Sequence, residues 1–117
     1  MWLLVGGLLI LPSAGNLLLA QDPPARREFT VTVRDFHVTP ARIEVIQDDL
    51  VKLTVHSDDI AHGFAIDEYR ISKRVPAGGS VSFEFRADRT GTFVFYCNLT
   101  GGPGHRMERG ELVVRGK

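Results

Sequence analysis

The chain predicts an all-β domain, a sandwich or barrel of short antiparallel strands, and three observations carry that expectation. Between Phe29 and Arg115 apolar residues recur with a period of two far more often than with the helical period of about 3.6. Turn-forming residues interrupt the alternation at close spacing. No stretch of this region holds a helical stripe, and about seven short strands separated by turns is the pattern of a sandwich or barrel.

Taken in order, Phe29, Val31 and Val33 alternate with Thr30 and Thr32, which makes a first strand. Phe36 and Val38 then take the opposite parity, so a bulge is expected near Arg34 and Asp35. Ile43 and Val45 form a further short strand, and Val51, Leu53 and Val55 another, opposed by Lys52, Thr54 and His56. After His62 comes a short apolar piece, Phe64 to Ile66, and then a charged stretch, Asp67 to Arg74, read as a connection. Pro76-Ala77-Gly78-Gly79 is a turn. Val81, Phe83 and Phe85 alternate with Ser82, Glu84 and Arg86, Phe93, Phe95 and Cys97 alternate with Thr92, Val94 and Tyr96, and Glu111 to Arg115 is the last strand.

The first twenty residues differ from the rest. They carry no charge, so all 14 basic and 14 acidic side chains lie in Gln21 to Lys117. That balance gives no reason to expect nucleic acid or an anionic lipid surface as a partner. The apolar run Trp2 to Leu11, followed by Pro12, Ser13, Ala14 and Gly15, has the layout of an export signal, although no Lys or Arg precedes it. Cleavage after Gly15 fits small-residue processing better than cleavage after Ala20. Uncleaved, Trp2 to Ala20 is just long enough to span a hydrocarbon core of roughly 30 Å as a helix. Residues 1–20 are thus read as a signal peptide or membrane anchor, 21–27 as a Pro-containing linker, and 28–117 as the folded domain. Either fate of the leader places the domain outside the cytoplasm, periplasmic or extracellular, with the membrane touched only through the N-terminal segment.

The chain has a single cysteine. In an exported protein an unpaired thiol oxidises or forms mixed disulfides unless something occupies it. Cys97 closes a strand and opens a glycine-rich loop, Asn98 to Arg109, that holds His105, Met107 and Glu108. Thiolate and imidazole together favour copper over magnesium, calcium or manganese. His62, at the edge of the short strand that begins His62-Gly63-Phe64, is the second imidazole that would complete a trigonal set. His37 and His56 are read as ordinary surface residues, and no nucleophile, base and acid form a hydrolytic triad.

His62-Gly63-Phe64-Ala65-Ile66, Tyr69-Arg70-Ile71, and Gly91 to Cys97 through Gly102-Pro103-Gly104-His105 resemble the cupredoxins. More narrowly, they resemble the copper-A domain of cytochrome c oxidase subunit II and nitrous oxide reductase. The resemblance covers Phe29 to Arg115 and implies a Greek-key β-sandwich or barrel of the cupredoxin type. It implies His62, Cys97 and His105 as metal ligands, with the carbonyl of Leu99 in the place of a backbone ligand. Two positions depart from the family loop. The second bridging cysteine falls on Gly101, so one copper ion is expected in place of two. The usual methionine position falls on Glu108, with Met107 one residue early. Loop register prefers Glu108 and ligand softness prefers Met107, and the two make opposite predictions about reduction potential.

The function expected on these grounds is a mononuclear copper protein, not itself an enzyme, that passes single electrons to or from a redox partner such as a cytochrome or an oxidase. Arg106 and Arg109 flank the loop and are read either as steering groups for an acidic partner or as solvated charge. A subunit II-like component of a terminal oxidase, a copper carriage or delivery protein, and a metal-free binding module are the alternatives.

Overall fold

The computed structural model describes residues 25–99 and 103–117. The segments read as signal or anchor, most of the linker, and Gly101 lie outside the described residues.

Nine strands form two sheets among the described residues: β1 (Arg26–Arg34), β2 (His37–Thr39), β3 (Arg42–Ile46), β4 (Leu50–Ser57), β5 (His62–Ile66), β6 (Ile71–Val75), β7 (Ser80–Arg86), β8 (Gly91–Tyr96) and β9 (Arg109–Arg115). One sheet runs β2-β1-β4-β7 and the other β3-β9-β8-β5-β6. Two short 3-10 turns, Asp67–Tyr69 and Pro103–Met107, are the helical pieces among these residues. No described helix is long and apolar enough to cross a membrane.

The alternation read from the sequence is the alternation of burial. Val51, Leu53 and Val55 point inward on β4, while Lys52 is exposed and Thr54 and His56 are half-buried. Leu112 and Val114 do the same on β9. These inward rows, with Val31, Val33, Ile43, Val45, Phe64, Ile66 and Phe95, make one core between the sheets. Full burial of each large apolar side chain is worth about 1.5–3 kcal/mol against exposure. Phe64 stacks on Phe95 with ring centroids 5.2 Å apart and leans on Phe83 at 5.9 Å, which ties the two sheets together behind the strand ends that carry the site.

Three features correct the sequence reading. The sheets are mixed: β1 pairs parallel with β4 and β3 parallel with β9, while the other pairings are antiparallel. Strand β6, Ile71–Val75, takes in the second half of the stretch Asp67 to Arg74 read as a charged connection, and its outward positions carry Ser72 and Arg74 at the edge of its sheet. Charge at an edge strand is tolerated because one side faces water. The change of parity at Phe36 is a hairpin and not a bulge. Arg34 pairs with His37, leaving Asp35 and Phe36 as a two-residue turn with φ of 54° and 62°. Two positive φ angles in succession are the backbone of a type I′ turn. β1 also begins at Arg26, within the stretch read as linker.

The parallel pairing of β1 with β4 puts the ends of both strands, at Arg34 and Ser57, on one edge of the molecule. The start of β5, the end of β8 and the start of β9 meet at the same edge. Every candidate ligand lies at or beside one of these strand ends.

Candidate metal centre

Cys97 follows β8 directly, on the inward parity of Phe93 and Phe95. The β8–β9 ladder ends with Tyr96 opposite Arg109, and the next rung sets Cys97 against Glu108, whose carbonyl accepts the Cys97 N–H at 3.2 Å. Residues opposed on an antiparallel ladder project to the same face. The carboxyl of Glu108 and the thiol of Cys97 are therefore delivered together, and Glu108 shares its parity with the inward Gly110, Leu112 and Val114. Met107, one residue earlier, is 70% exposed.

The turn Pro103–Met107 carries His105 back over this rung, and the Glu108 N–H donates to the His105 carbonyl at 3.3 Å. His62 enters from the first position of β5 and is fully buried. The neighbouring Gly63 allows the close approach of the loop: a Cβ there would lie 2.1 Å from Asn98 Oδ1 and 3.0 Å from the Asn98 backbone nitrogen. Its own N–H donates to Cys97 Sγ at 3.2 Å.

One ligand atom each from His62, Cys97, His105 and Glu108 lies within 4.8 Å of all the others, and all four residues are buried. His62 Nδ1 is 2.7 Å from Glu108 Oε1, and His105 Nδ1 is 3.3 Å from both that oxygen and Cys97 Sγ. Yet His62 Nδ1 and both Glu108 oxygens make no hydrogen bond. At 2.7 Å that failure is one of direction. The four donor atoms lie close enough together to share one ion. Leaving a buried polar group unpaired costs about 1–3 kcal/mol, so three such atoms in one cluster call for a further occupant. Two imidazoles, a thiol and a carboxyl fit a transition metal by composition as well. The residues present thus fit a copper ion on both counts.

The other side of His62 was not read from the sequence. Its Nε2–H donates to Asp59 Oδ1 at 2.8 Å, which leaves Nδ1 as the free nitrogen. Asp59 is a hub: it also accepts from the backbone N–H of Asp35 at 2.7 Å and of Ile60 at 2.8 Å. The bond from His62 first, and these N–H donors after it, hold its carboxyl down at about 2. The only sequence signal was an acid three residues before His62, in a run of two aspartates. Burial pushes the Cys97 thiol up, with the Glu108 carboxylate adding to it, while the N–H groups of Gly63 and Leu99 pull the other way. Leu99, given a carbonyl role by the resemblance, here presents its N–H to the sulfur.

His37 and His56 lie outside the cluster. His37 Nδ1 contacts the Asp35 carbonyl, and His56 sits between Ser80 Oγ at 2.7 Å and Asp58 Oδ1 at 3.1 Å on the outer sheet face.

The family described as "Cupredoxin-like domain" matches residues 4–114. The chain belongs to that family. A cytochrome c oxidase subunit 2 of Thermus thermophilus is similar to this cupredoxin, with 28% identity over 97 residues, 83% of this chain and 72% of the relative. The same length of alignment spans 58% of a second Thermus subunit 2 sequence. Among solved structures, the periplasmic domain of oxidase subunit II from Bradyrhizobium japonicum superimposes with a TM-score of 0.68 at 16% identity, over 81% of this chain and 88% of that one. Auracyanin A, a blue copper protein of Chloroflexus aurantiacus, does so with a TM-score of 0.65 at 13% identity, over 78% and 100%. At such identities the two structures speak to the shared fold.

Proposed function

We propose that this cupredoxin binds a single copper ion through His62, Cys97, His105 and Glu108 and serves as a one-electron carrier outside the cytoplasm. The observation that carries the reading is the convergence of four buried donors, three of whose atoms lack any other partner. Bound copper supplies a site that gains and loses one electron; the chain supplies the rest. His62 is oriented by Asp59, Cys97 Sγ is held by the Gly63 N–H, and the packed sandwich fixes the strand ends so that both oxidation states meet nearly the same geometry. A single ion follows from a single thiol: with Gly101 in the place of a second bridging cysteine, no paired thiolates are present to hold two. Of the two candidates for the fourth ligand, the exposure of Met107 and the burial of Glu108 favour the carboxylate, which favours Cu(II) and lowers the potential relative to a thioether.

In this reading residues 1–20 are an export signal or anchor and the functional domain runs to 117 from the start of β1 at Arg26, two residues before the boundary expected at 28, with a cytochrome or an oxidase as redox partner. The likeness to subunit 2 supports a second reading, a component of a terminal oxidase, in which the chain would remain membrane-bound and co-purify with a haem protein. Titrating the purified domain with copper tests the first. An intense visible thiolate band that Cys97→Ser abolishes is expected; a colourless protein, or colour that survives the substitution, contradicts the ligand set.

A further inference from the structure

Phe36 occupies a backbone position that disfavours it. The Asp35-Phe36 turn needs positive φ at both residues, where Asn, Asp and Gly are preferred and a bulky side chain is an outlier. A residue kept against local preference points to a job for its side chain. The ring of Phe36 stands edge-on to both imidazoles, with centroids 5.3 Å from His105 and 6.3 Å from His62 and interplanar angles of 89° and 88°. On its other side is Gly104. A Cβ added there would lie 2.8 Å from each of three atoms of the ring, so the ring covers the Gly104 backbone where any side chain would stand. The turn itself is tied to the centre, because Asp59 accepts the Asp35 N–H through Oδ2 and the His62 Nε2–H through Oδ1.

From this we propose that Phe36 is the specificity-determining residue of the centre: its ring, latched through Asp59 and seated on Gly104, closes the copper site to small exogenous anions and thiol reagents. The site then exchanges electrons without admitting a ligand. His105 is the most exposed of the two imidazoles at 7%, and Phe36 lies nearer to it than to His62. The inference rests on the copper reading for the anions and stands without it for the thiol.

The test uses the full chain and two variants. Phe36→Asn removes the ring while placing a turn-favouring residue in the hairpin, and Gly104→Ala keeps the ring but displaces it. In the metal-free protein, the rate at which an aromatic disulfide reagent captures Cys97 is expected to rise on the order of tenfold in both variants, with melting temperatures still showing a folded domain. In the copper-loaded protein, azide is expected to change the visible spectrum of the variants and leave that of the parent unchanged. Thiol rates within about twofold of the parent in both folded variants overturn the cap, as does an azide response of the parent equal to that of the variants. A chain that takes up no copper overturns the function proposed above, and the thiol rates still decide the cap. If Phe36→Asn does not fold, Gly104→Ala decides it by the same criteria.

Discussion

Glu108 and Met107 are sequence neighbours with opposite surroundings: Glu108 continues the β8–β9 ladder inward, and Met107 ends the 3-10 turn and is exposed. Cys97 faces Glu108 across the ladder, and the thioether next to it faces water. The Glu108 oxygens are buried and make no hydrogen bond, with Oε1 2.7 Å from His62 Nδ1 and 3.3 Å from His105 Nδ1. Glu108→Met exchanges a carboxylate for a thioether beside both imidazoles and is expected to raise the reduction potential of the copper-loaded form, read by redox titration. Met107→Ala, at an exposed position away from the cluster, is expected to change stability by less than about 0.5 kcal/mol and leave the visible spectrum unaltered. A spectral change in Met107→Ala with none in Glu108→Met would reverse the assignment of the fourth ligand. At this scale Cys97, His105 and His62 were legible because thiol and imidazole are rare and stood at strand ends. The burial of Glu108 beside an exposed Met107 was legible in part: Leu112 and Val114 fix the inward parity of β9, and extending it backwards reaches Glu108. Asp59 was hidden because an aspartate in a turn carries no mark of the histidine it will orient.

At the scale of elements, alternation was enough to locate strands whose one face is buried. It failed at β6, whose burial alternates but whose charged residues at a sheet edge passed for a connection, while β5, buried along its whole length between two other strands, was read as a short strand from its apolar run. The hairpin at Asp35-Phe36 escaped because its turn residues lack the Asn or Gly that would announce it, which is the same anomaly that Phe36 presents at the site. The start of β9 depends on a close approach of a different kind. A Cβ on Gly110 would lie 2.2 Å from Phe95 Cζ and 2.8 Å from the Ala41 carbonyl oxygen. Phe95 is in the core and cannot yield freely. Gly110→Ala is expected to destabilise the domain by about 1–3 kcal/mol through overpacking, measured by thermal unfolding, and to loosen the adjacent Cys97–Glu108 rung. A variant as stable as the parent would show that β8 and β9 have room the packing denies.

At the scale of the whole molecule, the sandwich has two parallel pairs that no local pattern predicts, because alternation shows which face of a strand is buried and not which strand lies beside it. The pairings as a set matter to the site: the parallel β1–β4 pair brings the ends of those two strands to the edge where the antiparallel β5–β8–β9 ladder brings the start of β5, the end of β8 and the start of β9 with the four donors. A metal held there bridges strand ends of both β5 and the β8–β9 pair, so it binds the folded state and not the unfolded chain. Copper at about 100 times its dissociation constant is expected to add about 2.7 kcal/mol, a rise in melting temperature of roughly 10–20 °C for a domain of this size. A chelator should reverse it. Equal melting temperatures with and without copper would mean that the cluster does not hold the ion.

The most direct test of one copper on four ligands is the electron spin resonance spectrum of the copper-loaded domain, taken with its metal-to-protein ratio. One copper per chain is expected, with the hyperfine pattern of an electron on a single copper nucleus and with Cys97→Ser removing the thiolate coupling. Two coppers per chain with an electron shared between them would contradict it.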